Sequence, residues 1–147
     1  KTINTDLLRD ELLETAKLLA PSHEVSVTAP DAADMELDHG IFLTVVENLI
    51  GNAARYAGGR LEICLRITQA SDENRLILSV CDDGVGFPQE LLQNGPKPFG
   101  RKEADAVHFG IGLYSSQMLC AKHGGELLLK NRPEGGAVAT AVFGIRL

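Results

Sequence analysis

Apolar residues recur at helical spacing in three segments of the chain. In the first, residues 5–20, leucines and alanines fall three or four positions apart, and Pro21 closes the run. The second segment, residues 38–56, carries an apolar stripe and is followed by the glycine pair 58–59. The third, residues 111–123, is followed by another glycine pair. This periodicity predicts three helices.

Shorter runs rich in valine, isoleucine and leucine predict strands between and after these helices. A polar link between the second and third runs favours an antiparallel hairpin, and the turn sequence RPEGG connects the last two runs. The predicted strands cover residues 23–30, 61–67, 75–81, 126–130 and 137–145, and residues 35–38 form either a short strand or a turn.

Residues 82–110 have no sustained period and contain eight glycines or prolines. A loop of this length inside a compact domain is uncommon and usually functional, often as a lid over a site. Helices and strands mix along the chain without a regular strand–helix alternation. This order favours an α+β fold, a two-layer α/β sandwich with about three helices on one face of a mixed, mostly antiparallel sheet.

Composition narrows the class of protein. The 147 residues fit a single domain, 1–147. The net charge of −6 argues against a broad nucleic-acid surface. The three cysteines lie far apart and form no CxxC pair, which indicates reduced thiols, packed as small hydrophobic residues, and a reducing compartment. No apolar run approaches the ~20 residues that span a bilayer.

The second predicted helix carries polar side chains beside its apolar stripe. Asn48 and Asn52 are four positions apart and therefore share a face, which Arg55 and Tyr56 continue one turn further on. Asparagine is a mediocre helix former, so the pair needs a reason. The two amides bond to a loop backbone, or an amide oxygen binds a hard cation such as Mg²⁺ while Arg55 binds phosphate. The residues alone leave both interpretations open.

An acidic glycine turn follows the third predicted strand. Asp82 and Asp83 precede Gly84 and Gly86, glycines that permit a positive φ or the close approach of a ligand. The turn is either a tight loop with solvated acids or a site where a carboxylate accepts hydrogen bonds from the amine of a nucleotide base. Rossmann and P-loop sites are excluded, because no GxGxxG motif follows a strand and no GK[ST] motif is present.

A second glycine pair, Gly110 and Gly112, opens the third predicted helix. A glycine-rich helix N-terminus offers unpaired N–H groups and a positive dipole end to a phosphate. Taken alone, this motif does not decide between a phosphate site and an ordinary helix start.

Together, in this order and spacing, the motifs resemble the ATP-binding domain of bacterial sensor histidine kinases. That domain belongs to the superfamily, with the Bergerat-type fold, that also includes DNA gyrase, Hsp90 and MutL. The stretch ENLIGNAARYA (47–57) resembles the family's N box, CDDGVGF (81–87) its G1 box, PKPFGR (96–101) its F box and FGIGL (109–113) its G2 box. The resemblance extends over nearly the whole chain.

The resemblance implies a Mg²⁺–ATP site. Asn52 would hold the metal between the phosphates, supported by Asn48, and Asp82 rather than Asp83 would bind the adenine amine. Arg101, together with Asn48, would act in catalysis, Arg101 near the γ-phosphate. The implied ATP-binding residues are Asn48, Asn52, Arg55, Tyr56, Asp82, Gly84, Gly86, Phe99, Gly110, Gly112 and Leu113.

Two positions depart from the pattern of the family, and a third distinguishes the chain from related ATPases and serine kinases. His108 stands where the G2 box usually begins with an additional glycine, and Pro96 replaces an aromatic residue before Phe99. Related ATPases and serine kinases place a glutamate general base four residues before the metal-binding asparagine, and that position is Asn48 here. A neutral amide does not abstract a proton, whereas neutral imidazole is already a nucleophile. The pattern therefore favours phosphotransfer to histidine over hydrolysis.

The chain has no histidine in the sequence context of the family's acceptor helix. The resemblance therefore implies that the acceptor histidine lies on a dimerisation domain upstream of Lys1 in a homodimeric parent, with this fragment a monomer and a response regulator as a further partner. It implies the cytoplasmic portion of a membrane-bound sensor kinase. Two alternatives are a non-catalytic nucleotide-binding module and a serine-kinase or ATPase relative.

Overall fold

The computed structural model of the chain describes residues 2–70, 72–96 and 104–147, and for residues 104–111 it describes the backbone alone. The helices are α1 (Thr5–Leu19), α2 (His39–Tyr56), α3 (Gln89–Asn94) and α4 (Ala104–Lys122). The strands are β1 (Thr2–Asn4), β2 (Glu24–Thr28), β3 (Asp34–Glu36), β4 (Arg60–Gln69), β5 (Asn74–Asp82), β6 (Glu126–Asn131) and β7 (Ala137–Ile145).

Five strands form one mixed sheet in the order β2-β4-β5-β7-β6. The β2–β4 pair is parallel, and the other three pairs are antiparallel. The predicted hairpin is present, since β4 and β5 pair from Leu61 opposite Asp82 to Gln69 opposite Asn74. Strands β1 and β3 form a separate two-stranded ribbon.

Side chains alternate across this sheet, which explains why the helices cover one face. In β4, Leu61, Ile63 and Leu65 are buried, whereas Glu62 and Arg66, at alternate positions, are exposed. The buried side chains pack with those of the helices, and the ring centroids of Phe42 in α2 and Phe143 in β7 lie 5.4 Å apart. Burial of this apolar face stabilises the two layers.

The third long helix begins seven residues earlier than the sequence predicts, so the predicted start was wrong. It was expected at residues 111–123, but α4 spans Ala104–Lys122, and the short α3 also lies inside the segment predicted to be aperiodic. Ala104 and Ala106 are good helix formers, and a glycine costs a helix only about 1 kcal/mol relative to alanine. Since α4 is anchored further on by the buried Leu113, Ser116 and Cys120, the glycines do not end it.

The fold class agrees with the expectation of a two-layer sandwich with a mostly antiparallel sheet. The three long helices are α1, α2 and α4, while α3 has six residues and buries none of them. All three cysteines are free thiols, as predicted. Burial raises the pKa of the Cys120 thiol to about 11, so this side chain behaves as a small hydrophobic residue of the core. Among the described residues, no helix is both long and apolar enough to cross a membrane.

Candidate functional site

The site forms at the end of β5, where the strand leaves the sheet beside the C-terminus of α2. Strand β5 ends at Asp82, and the turn that follows contacts the last residues of α2. A Cβ atom added to Gly84 would lie 2.0 Å from the backbone oxygen of Tyr56. Only glycine permits this approach, so the helix end and the acidic turn are held together.

The carboxylate of Asp82 is buried, with 5% of the residue exposed. Its Oδ1 accepts hydrogen bonds from the backbone N–H of Gly84 at 2.8 Å and of Ala137 at 3.2 Å. The second oxygen, Oδ2, has no hydrogen-bond partner among the residues that the structure describes. A buried carboxylate is stable only if it accepts hydrogen bonds. Asp82 is therefore held by one oxygen and retains the other for a donor.

The neighbouring Asp83 is used differently. Its exposed carboxylate accepts hydrogen bonds through Oδ1 from three consecutive backbone N–H groups, those of Gly58, Gly59 and Arg60, at 2.8, 3.0 and 3.1 Å. The bond from Gly59, followed by those from Arg60 and Gly58, lowers the pKa of this carboxyl group from its ordinary value of 3.8. Asp83 thus fixes the connection from α2 to β4, and its Oδ1 is occupied by these backbone bonds.

Gly86 has a φ of +89°, which accounts for its place in the turn. The next residue, Phe87, is 6% exposed and packs in the core, so the turn is anchored on its far side as well. By contrast, Val85 between the glycines is 91% exposed. The positive φ is therefore present at Gly86. At Gly84 the group that approaches closely is the backbone of α2, and the approach of a ligand there stays a prediction.

Polar residues of α2 face α4. The Asn48 side chain donates to the hydroxyl of the buried Ser116 at 3.1 Å, and Gly112 lies next to Asn48, since an added Cβ would be 4.0 Å from its amide carbon. Asn52 lies one turn further along α2 and is half-buried, and Tyr56 follows after another turn. Helix α2 therefore connects the α4 contact to the acidic turn over about 12 Å, at 1.5 Å per residue.

The structure brings some predicted site residues together and leaves others apart. Asn48 and Gly112 meet, as do Tyr56 and Gly84, whereas Arg55 is exposed. Leu113 is 1% exposed and belongs to the core. Phe99 and Arg101 lie outside the described residues.

Gly110 and Gly112 were expected at the start of a helix and are found in its interior. Both lie within Ala104–Lys122, six and eight residues after its first residue. In a helix interior each backbone N–H bonds to the carbonyl four residues earlier, so it is not available to a ligand. The early start of α4 therefore changes what the G2-like motif offers in this conformation.

The turn between β6 and β7 was missed by reasoning from the sequence. The closing hairpin was assigned no site residue, yet the N–H of Ala137 binds the Asp82 carboxylate. A Cβ atom added to Gly136, whose φ is +100°, would lie 1.9 Å from the Asp82 backbone oxygen. The signal in the sequence was the pair Gly135-Gly136, which indicates a turn but does not reveal what the turn contacts.

A cavity of about 900 Å³ lies at the opposite end of the sheet. It is lined by the start of β5 and the end of β7, together with His123 and Arg146. It contains none of the predicted site residues, so it is distinct from the site around Asp82.

Comparison with protein families gives a match over most of the chain. The family described as histidine kinase-, DNA gyrase B- and HSP90-like ATPases matches residues 38–146. The matched range includes the asparagines of α2, the acidic turn with Gly84 and Gly86, and the later pair Gly110 and Gly112.

Curated relatives are sensor kinases. The sensor protein kinase PilS of Pseudomonas aeruginosa is 34% identical over 102 residues, which cover 67% of this chain and 19% of PilS. The sensor protein KdpD of Escherichia coli is 34% identical over 137 residues, which cover 89% of this chain and 15% of KdpD. The chain thus spans a fifth or less of the length of these relatives.

Solved structures show the same fold. A mycobacterial sensor histidine kinase, MprB, aligns with a TM-score of 0.75 at 21% identity over 99% of both chains. The catalytic domain of the histidine kinase ThkA aligns with a TM-score of 0.75 at 22% identity, over 98% of this chain and 94% of that one.

We expect the charge of Asp83 to stabilise the fold in a pH-dependent way. Because its folded-state pKa is lower than 3.8, this stabilisation is fully present above pH 3.8 and is lost as pH falls through the folded-state value. Asp83→Asn keeps an oxygen acceptor and removes the charge. Urea unfolding should therefore show a less stable variant at about pH 7 and a difference that shrinks below about pH 4.

Asp72 is exposed and lies in the hairpin turn between β4 and β5. Asp72→Asn is therefore the matched control, because it changes the net charge by the same amount. A loss of stability in Asp83→Asn that stays constant across this pH range would show that the charge does not act through these three bonds.

Proposed function

Because this chain belongs to the family of histidine kinase-, DNA gyrase B- and HSP90-like ATPases, we propose that it is the ATP-binding catalytic domain of a sensor histidine kinase. In this function it binds Mg²⁺–ATP and donates the γ-phosphate to a histidine on a separate acceptor domain. The observation that carries the proposal is the buried Asp82 carboxylate, held by two backbone N–H groups through one oxygen.

Adenine binds through its exocyclic amine, which donates to Oδ2 of Asp82. Since Oδ1 is already occupied by Gly84 and Ala137, the orientation of the carboxylate is fixed before the ligand arrives. A preorganised buried acceptor loses little freedom on binding and rejects bases that lack a donor at this position. Gly84 and Gly86 let the backbone of the turn approach the base, and Tyr56 packs beside the base or ribose.

The triphosphate lies along α2. Asn52 would hold Mg²⁺ through its neutral amide oxygen, and Asn48, which is bonded to Ser116, would support it. The exposed Arg55 provides positive charge for the phosphates. Arg101 and Phe99 lie outside the described residues, and their proposed roles, near the γ-phosphate and in the lid, rest on the family resemblance. A Mg²⁺ ion held here would, together with Arg55 and Arg101, supply positive charge against the negative charge that develops during phosphoryl transfer.

Gly110, Gly112 and Leu113 contribute only after a local change in α4. This contribution requires residues 104–109 to leave the helix, so that the helix would begin at Gly110 and its first N–H groups would meet the phosphates. Support comes from Gly112, which already adjoins Asn48 on α2.

Transfer to histidine is favoured over hydrolysis. Glu47, the nearest carboxylate to Asn52 on α2, is exposed and lies five residues before it, rotated about 100° from the position of Asn48. Asn48 itself is a neutral amide bonded to Ser116. Neither group is placed to activate water, whereas a neutral imidazole needs no such base.

The parent protein supplies the remaining functions. Since the chain covers only 19% of PilS and 15% of KdpD, the acceptor histidine, its dimerisation domain and the sensor lie on further segments of a homodimeric parent. The parent is membrane-bound with this domain in the cytoplasm, and a response regulator receives the phosphate. The domain 1–147 is monomeric by itself.

Asp82→Asn should weaken ATP binding by about 100-fold, because it removes an acceptor for the adenine amine and presents an N–H group instead. Isothermal titration calorimetry measures the affinity, and circular dichroism checks the fold. The matched control is Asp83→Asn, the neighbouring carboxylate with bonds to the backbone only, and it should bind ATP as the unmodified chain does. Unchanged affinity of a folded Asp82→Asn would refute the adenine site.

Asn52→Ala should remove the dependence of ATP binding on Mg²⁺, since it deletes the amide ligand of the metal. Affinities measured with Mg²⁺ and with a chelator differ in the unmodified chain and should converge in the variant. Thr44→Ala, an exposed position two turns earlier on α2, is the control. A metal dependence that survives Asn52→Ala would exclude this residue as the ligand.

Phosphotransfer is tested by mixing the chain with labelled Mg²⁺–ATP and the purified acceptor domain of the parent. We expect acid-labile, base-stable label on the acceptor domain, the signature of phosphohistidine. Binding without transfer would instead identify a nucleotide-binding module, the alternative that His108 and Pro96 favour. Acid-stable label or steady phosphate release would identify a serine kinase or an ATPase.

A further inference from the structure

Two consecutive residues at the end of β6, Asn131 and Arg132, contact the acidic turn from two sides. We propose that they are positioning residues, which fix the geometry of Asp82 and of the 84–87 turn and thereby set the affinity and selectivity for the adenine amine. This inference rests on the proposed role of Asp82 in adenine binding.

Arg132 connects three segments through one guanidinium group. Its Nη2 donates to the backbone oxygen of Asp82 at 2.9 Å, its Nε to the backbone oxygen of Gly135 at 3.3 Å and its Nη1 to Oε1 of Glu62 at 3.2 Å. The side chain is 22% exposed, so these bonds are partly shielded from water. A planar fork with fixed donors suits such a junction better than a single ammonium group.

These bonds place the β6–β7 turn directly over Asp82. The backbone of Arg132 also pairs with the turn, since its N–H donates to Gly136 at 2.9 Å and its oxygen accepts from Gly135 at 3.0 Å. Ala137, which follows Gly136, donates its N–H to Oδ1 of Asp82. Loss of the guanidinium group frees the turn to move, and the carboxylate then loses a donor that fixes the direction of Oδ2.

Asn131 holds the other side of the site. Its Oδ1 accepts from the N–H of Phe87 at 2.7 Å, and its Nδ2 donates to the oxygen of Phe87 at 3.1 Å. A Cβ atom added to Gly86 would lie 2.8 Å from Oδ1 of Asn131. The Asn131 side chain thus bonds both backbone groups of Phe87, as a neighbouring strand would, and fixes the path of the turn.

A positioning role differs from a purely structural one in its effect on selectivity. If Arg132 and Asn131 only stabilise the fold, their loss weakens every purine nucleotide equally. If they aim the Asp82 carboxylate, their loss weakens ATP and leaves nearly unchanged a nucleotide without the exocyclic amine, such as purine riboside triphosphate.

The test measures both nucleotides by competition binding with Mg²⁺ for Arg132→Gln and Asn131→Ala. We expect ATP affinity to fall by about tenfold in Arg132→Gln and by about fivefold in Asn131→Ala. The affinity for purine riboside triphosphate should change by less than about twofold. Arg132→Lys, which keeps the charge and a donor but not the fork, should recover part of the ATP affinity.

Glu62→Gln is the matched control, because it breaks the outer ion pair of Arg132 and leaves its bonds to Asp82 and Gly135 in place. It should leave both affinities unchanged. Urea unfolding of each variant confirms that the protein measured is folded, and Arg132→Lys serves as the test variant if Arg132→Gln does not fold. Equal loss for the two nucleotides, or no loss for ATP, would overturn the proposal.

Asp82→Asn is measured in parallel to separate the two proposals. If Asp82→Asn keeps full preference for ATP over purine riboside triphosphate, the adenine site itself is wrong. If that preference disappears in Asp82→Asn but persists in both Arg132→Gln and Asn131→Ala, only the positioning role is wrong.

Discussion

The structure depends on keeping one carboxylate buried at the end of a central strand. Asp82 is 5% exposed, and a charge in that environment requires donors within the protein. Two backbone N–H groups meet this requirement, one from the turn after β5 and one from the first residue of β7. Because both donors belong to the main chain, the position of Asp82 is coupled to the path of the backbone on both sides of it.

That coupling explains the arrangement of elements around the site. Strand β5 lies between β4 and β7, so its end is reached from one side by the connection after α2 and from the other by the β6–β7 turn. Glycine at positions 84 and 136 allows the end of α2 and this turn to approach within distances that a side chain would block. The geometry around Asp82 is thus set by contacts of the main chain.

The two adjacent carboxylates, Asp82 and Asp83, have different surroundings. Asp83 accepts hydrogen bonds from three N–H groups in the connection from α2 to β4. In Asp82, by contrast, one carboxylate oxygen has no partner among the described residues. On α2, Asn48 is bonded to Ser116 in α4, so the helix that carries the asparagines is braced against the helix that carries the G2-like glycines. Membership in the ATPase family gives this arrangement its functional meaning.

The sequence by itself determined the periodic elements and the motifs, because hydrophobic spacing and glycine turns are local properties. The stripes of α1 and α2 and the β4–β5 hairpin were predictable for that reason. Tertiary structure decided where α4 begins, since packing at Leu113 and Ser116 carries the helix through glycines that look like a start. It also decided that Ala137 and the residues before it reach Asp82, because a contact 55 positions along the chain arises from strand order and leaves no local pattern.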